Sequence, residues 1–152
     1  MKTTIIRGIS LIIFFLGAQS LQAQSSLNLP DEFELGIRLG DTFGSSFTLD
    51  AMMPFFGETL HANVGFDDGL AISALYDFKM NIVDSFDWYF GFGGELGLFD
   101  DFTLAAAGEI GIEYAIQEFP ITFGIDYRPA IGLIGRDDFL GGQYGINIRY
   151  RF

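Results

Sequence analysis

The stretch "YGINIRYRF", Tyr144 to Phe152, alternates from end to end. Tyr144, Ile146, Ile148, Tyr150 and Phe152 occupy every second position, and Gly145, Asn147, Arg149 and Arg151 stand between them. Successive side chains of a β-strand point to opposite faces. This segment is therefore a strand with one apolar, aromatic face and one face of small and arginine side chains. The fold turns on which of the two faces meets the surroundings.

The same alternation recurs upstream from residue 33. In "FELGIRL", Phe33, Leu35, Ile37 and Leu39 oppose Glu34, Gly36 and Arg38; in "FTLDAMM", Phe47, Leu49, Ala51 and Met53 oppose Thr48, Asp50 and Met52. "LHANVGF" sets Leu60, Ala62, Val64 and Phe66 against His61, Asn63 and Gly65. "LAISALYDF" sets Leu70, Ile72, Ala74, Tyr76 and Phe78 against Ala71, Ser73, Leu75 and Asp77. In "WYFGFGGELGL", Trp88, Phe90, Phe92, Leu96 and Leu98 oppose Tyr89, Gly91, Gly93, Glu95 and Gly97. "TLAAAGEIGIEY" and "FPITFGIDYR" continue the pattern, with Thr103, Glu109, Gly111 and Glu113, then Thr122, Gly124, Asp126 and Arg128, on the polar side. With the terminal segment this makes eight strands and leaves only short connections, which predicts an antiparallel meander.

Composition narrows the setting. Lys2 and Arg7 flank the start of the apolar run "ISLIIFFLGA", and Ala23 is the small residue in "QSLQAQ" that follows. That order predicts a secretory signal peptide over residues 1–23, whose apolar run is too short to cross a bilayer as a helix. Residues 24–31 then read as a short periplasmic lead-in and residues 32–152 as the folded domain. There is no cysteine, hence no disulfide framework and no lipid-modified cysteine. Loss of Lys2 and Arg7 leaves 6 of the 8 basic residues against 20 acids, 6 − 20 = −14. Such a charge excludes nucleic acid as a partner, because phosphates require a basic surface.

The two faces then decide the solvent. Water-facing strand positions ordinarily carry Lys, Glu, Thr and Ser. Here the non-apolar face is rich in Gly and Ala with isolated charges of both signs, which suits a narrow, crowded interior. Tyr76, Phe78, Trp88, Phe90, Tyr114, Phe119, Tyr150 and Phe152 fall at one end of successive strands, as an aromatic girdle would. In hydrocarbon every backbone N–H and C=O must be paired, so the last strand must meet the first near "FELGIRL". The expected fold is all-β: an eight-stranded antiparallel up-and-down transmembrane β-barrel.

On those residues the chain resembles the small bacterial outer-membrane β-barrel proteins. "YGINIRYRF" is similar to their C-terminal signature, and "ALYDF", "DWYFGFGGELG" and "GEIGIEYAIQEFPITFGIDYRPAIGLIG" are similar to their strands, a likeness over roughly residues 60–152. The resemblance implies the outer membrane of a Gram-negative cell envelope, with lipid and lipopolysaccharide as surroundings. It also implies that Tyr144, Ile146, Ile148, Tyr150 and Phe152 are read by the barrel-assembly machinery during insertion. It is silent on activity, because barrels with such endings include porins, enzymes, adhesins and scaffolds.

Three groups of residues have chemistry to offer. Acidic pairs Asp67–Asp68, Asp100–Asp101 and Asp137–Asp138 recur at spacings that put them on one barrel end, the extracellular one, with Asp41 beside them. Carboxylates so placed suit a divalent cation; they equally suit tight turns and wet loop tips. Glu95, Glu109, Glu113 and Asp126 face the interior with Arg38, Arg128, Arg149 and Arg151, either as a packed plug or as a gated polar path. His61 is the single histidine; with no cysteine it makes no zinc site of the usual type, and Ser73 is the one nucleophile near it. "GFGGELG" is glycine-rich but is a strand, not a phosphate loop. Pro129 is where strand pairing is weakest, because proline lacks the ladder donor.

The expected role is that of a monomeric structural or interaction barrel with a plugged lumen, without catalysis or cofactor. A narrow channel or a small hydrophobic-solute binder, and a soluble periplasmic lipocalin-like protein with the sheet turned inside out, are the alternatives.

Overall fold

The chain first turns back on itself at Phe43–Gly44 and again at Phe56–Gly57. Both pairs have positive φ throughout, 51° and 92° in the first and 49° and 90° in the second. Positive φ at both central residues is the geometry of the tightest hairpin turn, whose twist matches that of the flanking strands. Thr42 accordingly pairs with Ser45, and Phe55 with Glu58.

The structure is a computed structural model that describes residues 32–152 apart from Asp68 and Asp137. The expected signal peptide and lead-in lie outside the described residues. Ten strand segments follow one another: β1 (Glu34–Thr42), β2 (Ser45–Phe55), β3 (Glu58–Gly65), β4 (Leu70–Val83), β5 (Phe86–Leu98), β6 (Phe102–Ala115), β7 (Ile121–Tyr127), β8 (Ala130–Ile134), β9 (Phe139–Leu140) and β10 (Tyr144–Arg151). Each of β1 to β6 pairs antiparallel with the next. β7 and β8 both pair with β6, and together they make the seventh stave of the barrel. β9 and β10 make the eighth.

The sheet closes where the opening stretch predicts. β10 pairs with β1 from Glu34↔Arg151 to Gly40↔Gly145. Phe152 N–H donates to the Phe33 carbonyl at 3.0 Å, and the two rings lie 5.7 Å apart. The result is a closed, eight-stranded, antiparallel up-and-down barrel.

Pro129 separates β7 from β8 without opening the wall. Its carbonyl accepts from Gly108 N–H at 2.9 Å, and the neighbouring Arg128 N–H donates to Gln143 O at 2.8 Å. Tyr127 pairs with Tyr144 but Ala130 pairs with Leu140, so the eighth stave carries one extra residue between Leu140 and Tyr144. That is a bulge opposite the proline.

The facing of every stave follows the alternation. Arg38, Asp50, His61, Asn63, Ser73, Asp77, Arg128, Asn147 and Arg149 are buried inside. Phe92, Phe123, Ile125, Leu133 and Ile146 are exposed on the outer wall. Charge is inside and hydrocarbon outside, the reverse of a water-soluble barrel.

Small inward residues make room for large ones. The Arg38 guanidinium lies over Gly145, the Tyr89 ring over Gly111 and the Asn147 amide over Gly124, each where a Cβ would collide. At the end bearing the β1–β2, β3–β4, β5–β6 and β8–β9 turns, here the acidic end, Phe43 folds inward. It is 1% exposed and packs with Leu75, Ala105, Ala107 and Ala130, with Phe99 against it at 6.4 Å between ring centroids. Phe43 is thus both a turn residue and a stopper.

Candidate functional site in the barrel lumen

Three arginines organise the interior. Arg38 on β1 reaches across the β1–β10–β7 wall to Asp126, with Nη2 2.5 Å and Nε 3.0 Å from Oδ1. Its Nη1 donates to the Asp41 carbonyl at 2.7 Å and to the Thr42 hydroxyl. Arg149 on β10 gathers three acids, Glu34 at 2.8 Å, Asp50 at 3.1 Å and Glu113 at 2.5 Å. Arg128, between β7 and β8, holds Glu109 at 2.7 Å, while its Nη1 donates to Asn63 Oδ1 at 2.7 Å and Ser73 Oγ at 2.9 Å. Charge-assisted bonds of this kind are the short, directional ones, and in a dry interior each charge must have them.

His61 on β3 sits between the Arg149 and Arg128 groups. Its Nε2 lies 2.6 Å from Asp50 Oδ1; its Nδ1 lies 3.0 Å from Glu109 Oε2 and 3.3 Å from Asp77 Oδ2. A neutral imidazole has one donor and one acceptor nitrogen. Here both nitrogens face carboxylate oxygen, so the ring carries two protons or a facing carboxyl carries one. Either way the cluster holds one positive charge or proton more than neutral His61 and ionised acids would give.

The count of charges shows why. Glu34, Asp50, Asp77, Glu95, Glu109, Glu113 and Asp126 are buried inside with Arg38, Arg128 and Arg149. Lys79 reaches in from a half-buried position to Glu113 at 2.6 Å. Among the described residues the lumen therefore sums to 4 − 7 = −3 before His61 is counted. Asp77 and one oxygen of Glu95 have no hydrogen-bond partner, and Tyr89 Oη is likewise unpaired. Glu95 keeps only Gln143 Nε2, at 2.8 Å.

The eight lumen charges expected from sequence divide accordingly. Arg38 with Asp126, Arg128 with Glu109, and Arg149 with Glu113 are brought together as pairs. Glu95 is buried without a base. Arg151 stands apart: its Nη2 donates to the carbonyls of Ile116 and Phe119 at 2.6 and 2.9 Å, and so fastens the β6–β7 connection. His61 and Ser73 share no hydrogen bond, since the Ser73 hydroxyl is engaged by Asn63 and Arg128.

Asp50, Asp77 and Glu34 are the functional-looking residues that sequence reasoning left out of the network. Each already stood on the inward face. What was missing was the pairing across the barrel, where partners are 48 residues apart for His61 and Glu109 and 115 apart for Glu34 and Arg149.

The described acidic loop residues, Asp41, Asp67, Asp100, Asp101 and Asp138, fall on one end, and Asp41, Asp67 and Asp138 turn to local partners. Asp41 Oδ1 accepts from Gly44 N–H at 2.8 Å, and Asp67 Oδ2 accepts from the backbone and hydroxyl of Ser46 at 2.7 and 2.6 Å. Asp138 takes two hydrogen bonds from Arg136, at 2.9 and 3.0 Å, and these hold its carboxyl below the usual range. Asp100 and Asp101 lie in the exposed β5–β6 turn. Asp68 and Asp137 lie outside the described residues. Among the described residues, the acidic and histidine side chains close enough to share one ion are His61, Asp77 and Glu109, in the lumen rather than the loops.

No family model, no curated protein and no solved structure matches the chain.

Proposed function

We propose that this chain is an integral outer-membrane β-barrel protein whose lumen is sealed, and that it serves the cell envelope as a structural or interaction element rather than as an open pore. The single observation that carries the reading is the inverted wall: Phe92, Phe123, Ile125, Leu133 and Ile146 outside, three arginines and seven acids inside. In water that arrangement would expose the apolar face and bury the charges for no return. In hydrocarbon it is the stable one, because a closed barrel satisfies every ladder donor and acceptor.

Dimensions support it. The 14-residue β6 extends ~46 Å at ~3.3 Å per residue, or about 33 Å along the axis at ~45° tilt, more than the ~25 Å apolar band of such barrels. Rings join edge to edge around the end opposite the acidic one. Phe56 meets Phe55, Phe55 meets Tyr76, Tyr76 meets Phe78, and Phe78 stacks on Phe90 at 5.3 Å. Phe86 meets Tyr114, and Tyr150 meets Phe152. Toward the acidic end Phe66, Phe102 and Phe139 are exposed and supply a second, looser belt. Tyr and Trp at such levels anchor a wall at the lipid–water boundary.

Sealing is supported by the absence of exposure along the lumen. Phe43, Arg38, His61 and Tyr89 are each 0–1% exposed, from the acidic end to the aromatic one. Short connections between paired staves also leave little loop surface for a broad partner.

The test is electrophoretic mobility of the protein from an outer-membrane fraction, with and without boiling in SDS. A closed membrane barrel resists cold SDS and shifts on boiling. Recovery in the soluble fraction without detergent, and no shift, would end the proposal.

A further inference from the structure

We propose that the barrel lumen holds one divalent transition-metal ion on His61, Asp77 and Glu109. The three side chains come from β3, β4 and β6 and are fully buried. One donor atom from each lies within 4.8 Å of the others, with His61 Nδ1 3.0 Å from Glu109 Oε2 and 3.3 Å from Asp77 Oδ2. Ligands around an ion at ~2.1 Å stand roughly 3.0–3.5 Å apart, a spacing that both His61 distances already match.

Two observations beyond proximity point to a cation. The first is Asp77. Its side chain has no exposure and neither oxygen accepts a hydrogen bond, its one ionic contact being His61 Nδ1 at 3.3 Å. A buried carboxylate without a donor is expensive, and such a group in a native interior calls for an ion, a water or a proton. Its carboxylate lies against Gly91, where any Cβ would strike Asp77 Oδ1, so the wall itself makes room for it. The second is the supporting shell. With the ion in place of the proton between Nδ1 and the carboxylates, Asp50 Oδ1, 2.6 Å from His61 Nε2, keeps that nitrogen as the donor and leaves the Nδ1 lone pair to ligate. Arg128 occupies Glu109 Oε1 at 2.7 Å, so Oε2, 3.0 Å from His61 Nδ1, is the oxygen turned toward the ion. A carboxylate behind the imidazole and a hydrogen bond behind the ligating carboxylate are the arrangement that orients metal ligands.

Charge agrees. The lumen sums to −3 before His61, and Asp77, at this point, is an acid that no arginine pairs with. One imidazole and two carboxylates, with no thiolate, suit zinc, manganese or ferrous iron rather than copper(I) or calcium. With no exposed face the ion has a structural role: it ties β3, β4 and β6 across the barrel and enters during folding. The inference rests on the lumen alone and does not depend on where the barrel resides.

The test is to refold the full chain in detergent with Zn²⁺ or Mn²⁺, strip loose metal with EDTA, and measure bound metal by mass spectrometry and, for Mn²⁺, by electron paramagnetic resonance. About one ion per folded chain is expected. Asp77→Asn and His61→Gln should each lower retention at least about tenfold, whereas Asp100→Asn/Asp101→Asn should leave it unchanged. Retention no higher in the native chain than in Asp77→Asn, or loss that follows the loop variant instead, overturns the proposal. Should the lumen variants fail to fold, the native chain decides alone. Its unfolding temperature should rise by about 5 °C or more when it is refolded with Zn²⁺ rather than with EDTA, and equal temperatures overturn the proposal.

Discussion

Arg38 and Asp126 meet inside the barrel at 2.5 Å, with neither side chain exposed. They lie on different staves, β1 and β7, with β10 between them. Arg38 also closes the top of its own strand through the Asp41 carbonyl and the Thr42 hydroxyl. Removing one partner strands the other charge in a dry interior, which costs about 3–5 kcal/mol. Asp126→Ala should therefore lower the urea midpoint of the folded barrel steeply. The double change Arg38→Met/Asp126→Leu should lower it less than Asp126→Ala alone. A double variant worse than the single one would mean that the pair stabilises the barrel on its own account rather than merely satisfying two buried charges.

Tyr89 and Gly111 test the packing of the lumen in the opposite sense. The Tyr89 ring covers Gly111, and a Cβ there would strike the ring and approach the Ile125 carbonyl to 2.9 Å. Gly111→Ala should cost about 1–3 kcal/mol through overpacking. The Tyr89 hydroxyl is buried without a partner. Tyr89→Phe should leave stability unchanged or raise it by about 1 kcal/mol, because it removes an unsatisfied polar group. Thermal gel-shift curves of both variants provide the measurement; marked loss of stability in Tyr89→Phe would reveal a partner for that hydroxyl.

The wall was legible in the sequence and the lumen only half so. Alternation alone gave the facing of Arg38, Glu109, Asp126 and Arg149, because period two is a property of the strand itself. Closure followed from Phe152 and "FELGIRL", which meet as expected. The turns were less readable, since Phe at positive φ in Phe43–Gly44 is not a usual hairpin residue. Nothing in the pattern told that the Phe43 ring folds inward. Partnerships across the lumen depend on the stagger between staves, which no local pattern encodes. Hence Asp50, Asp77 and Glu34 were placed on the right face without their partners, and Arg151 was drawn into the lumen although its guanidinium serves the Ile116 and Phe119 carbonyls.

The loop ion pair Arg136–Asp138 has a defined pH signature. The Arg136 hydrogen bonds hold the Asp138 carboxyl below the usual carboxylate value. A carboxyl lowered by folding contributes stability above its unfolded pKa, about 3.9, and loses it as pH falls through the folded value. Carbon-13 carboxyl titration should place Asp138 below the other loop aspartates, and Arg136→Ala should return it to their range. That loss falls below about pH 4, so the urea midpoint should not change between pH 7 and pH 5 in the native chain or in Arg136→Ala, and because Asp138 is exposed the difference at lower pH should be small. A midpoint that falls with pH only in the native chain would contradict this.

The proposed sealing of the lumen assigns the work to two devices in series, and they are separable. At the acidic end the Phe43 ring stops the mouth, packed on Leu75, Ala105, Ala107 and Ala130. Deeper in, Arg149 draws Glu34, Asp50 and Glu113 together from three other staves. Phe43→Gly suits the backbone, whose φ of 51° there is one that glycine adopts freely; it opens the mouth and leaves the arginine network shut. Arg149→Ala loosens the network, because Glu34 loses its base and water must enter to solvate it, yet the phenylalanine remains. Planar-bilayer recordings should therefore show no steady steps for the native chain or for either single variant. The double variant should conduct, with cations favoured, because the lumen acids outnumber the bases. Steady steps from the native chain would refute the sealed lumen, and conduction by Phe43→Gly alone would show that Arg149 does not close the path.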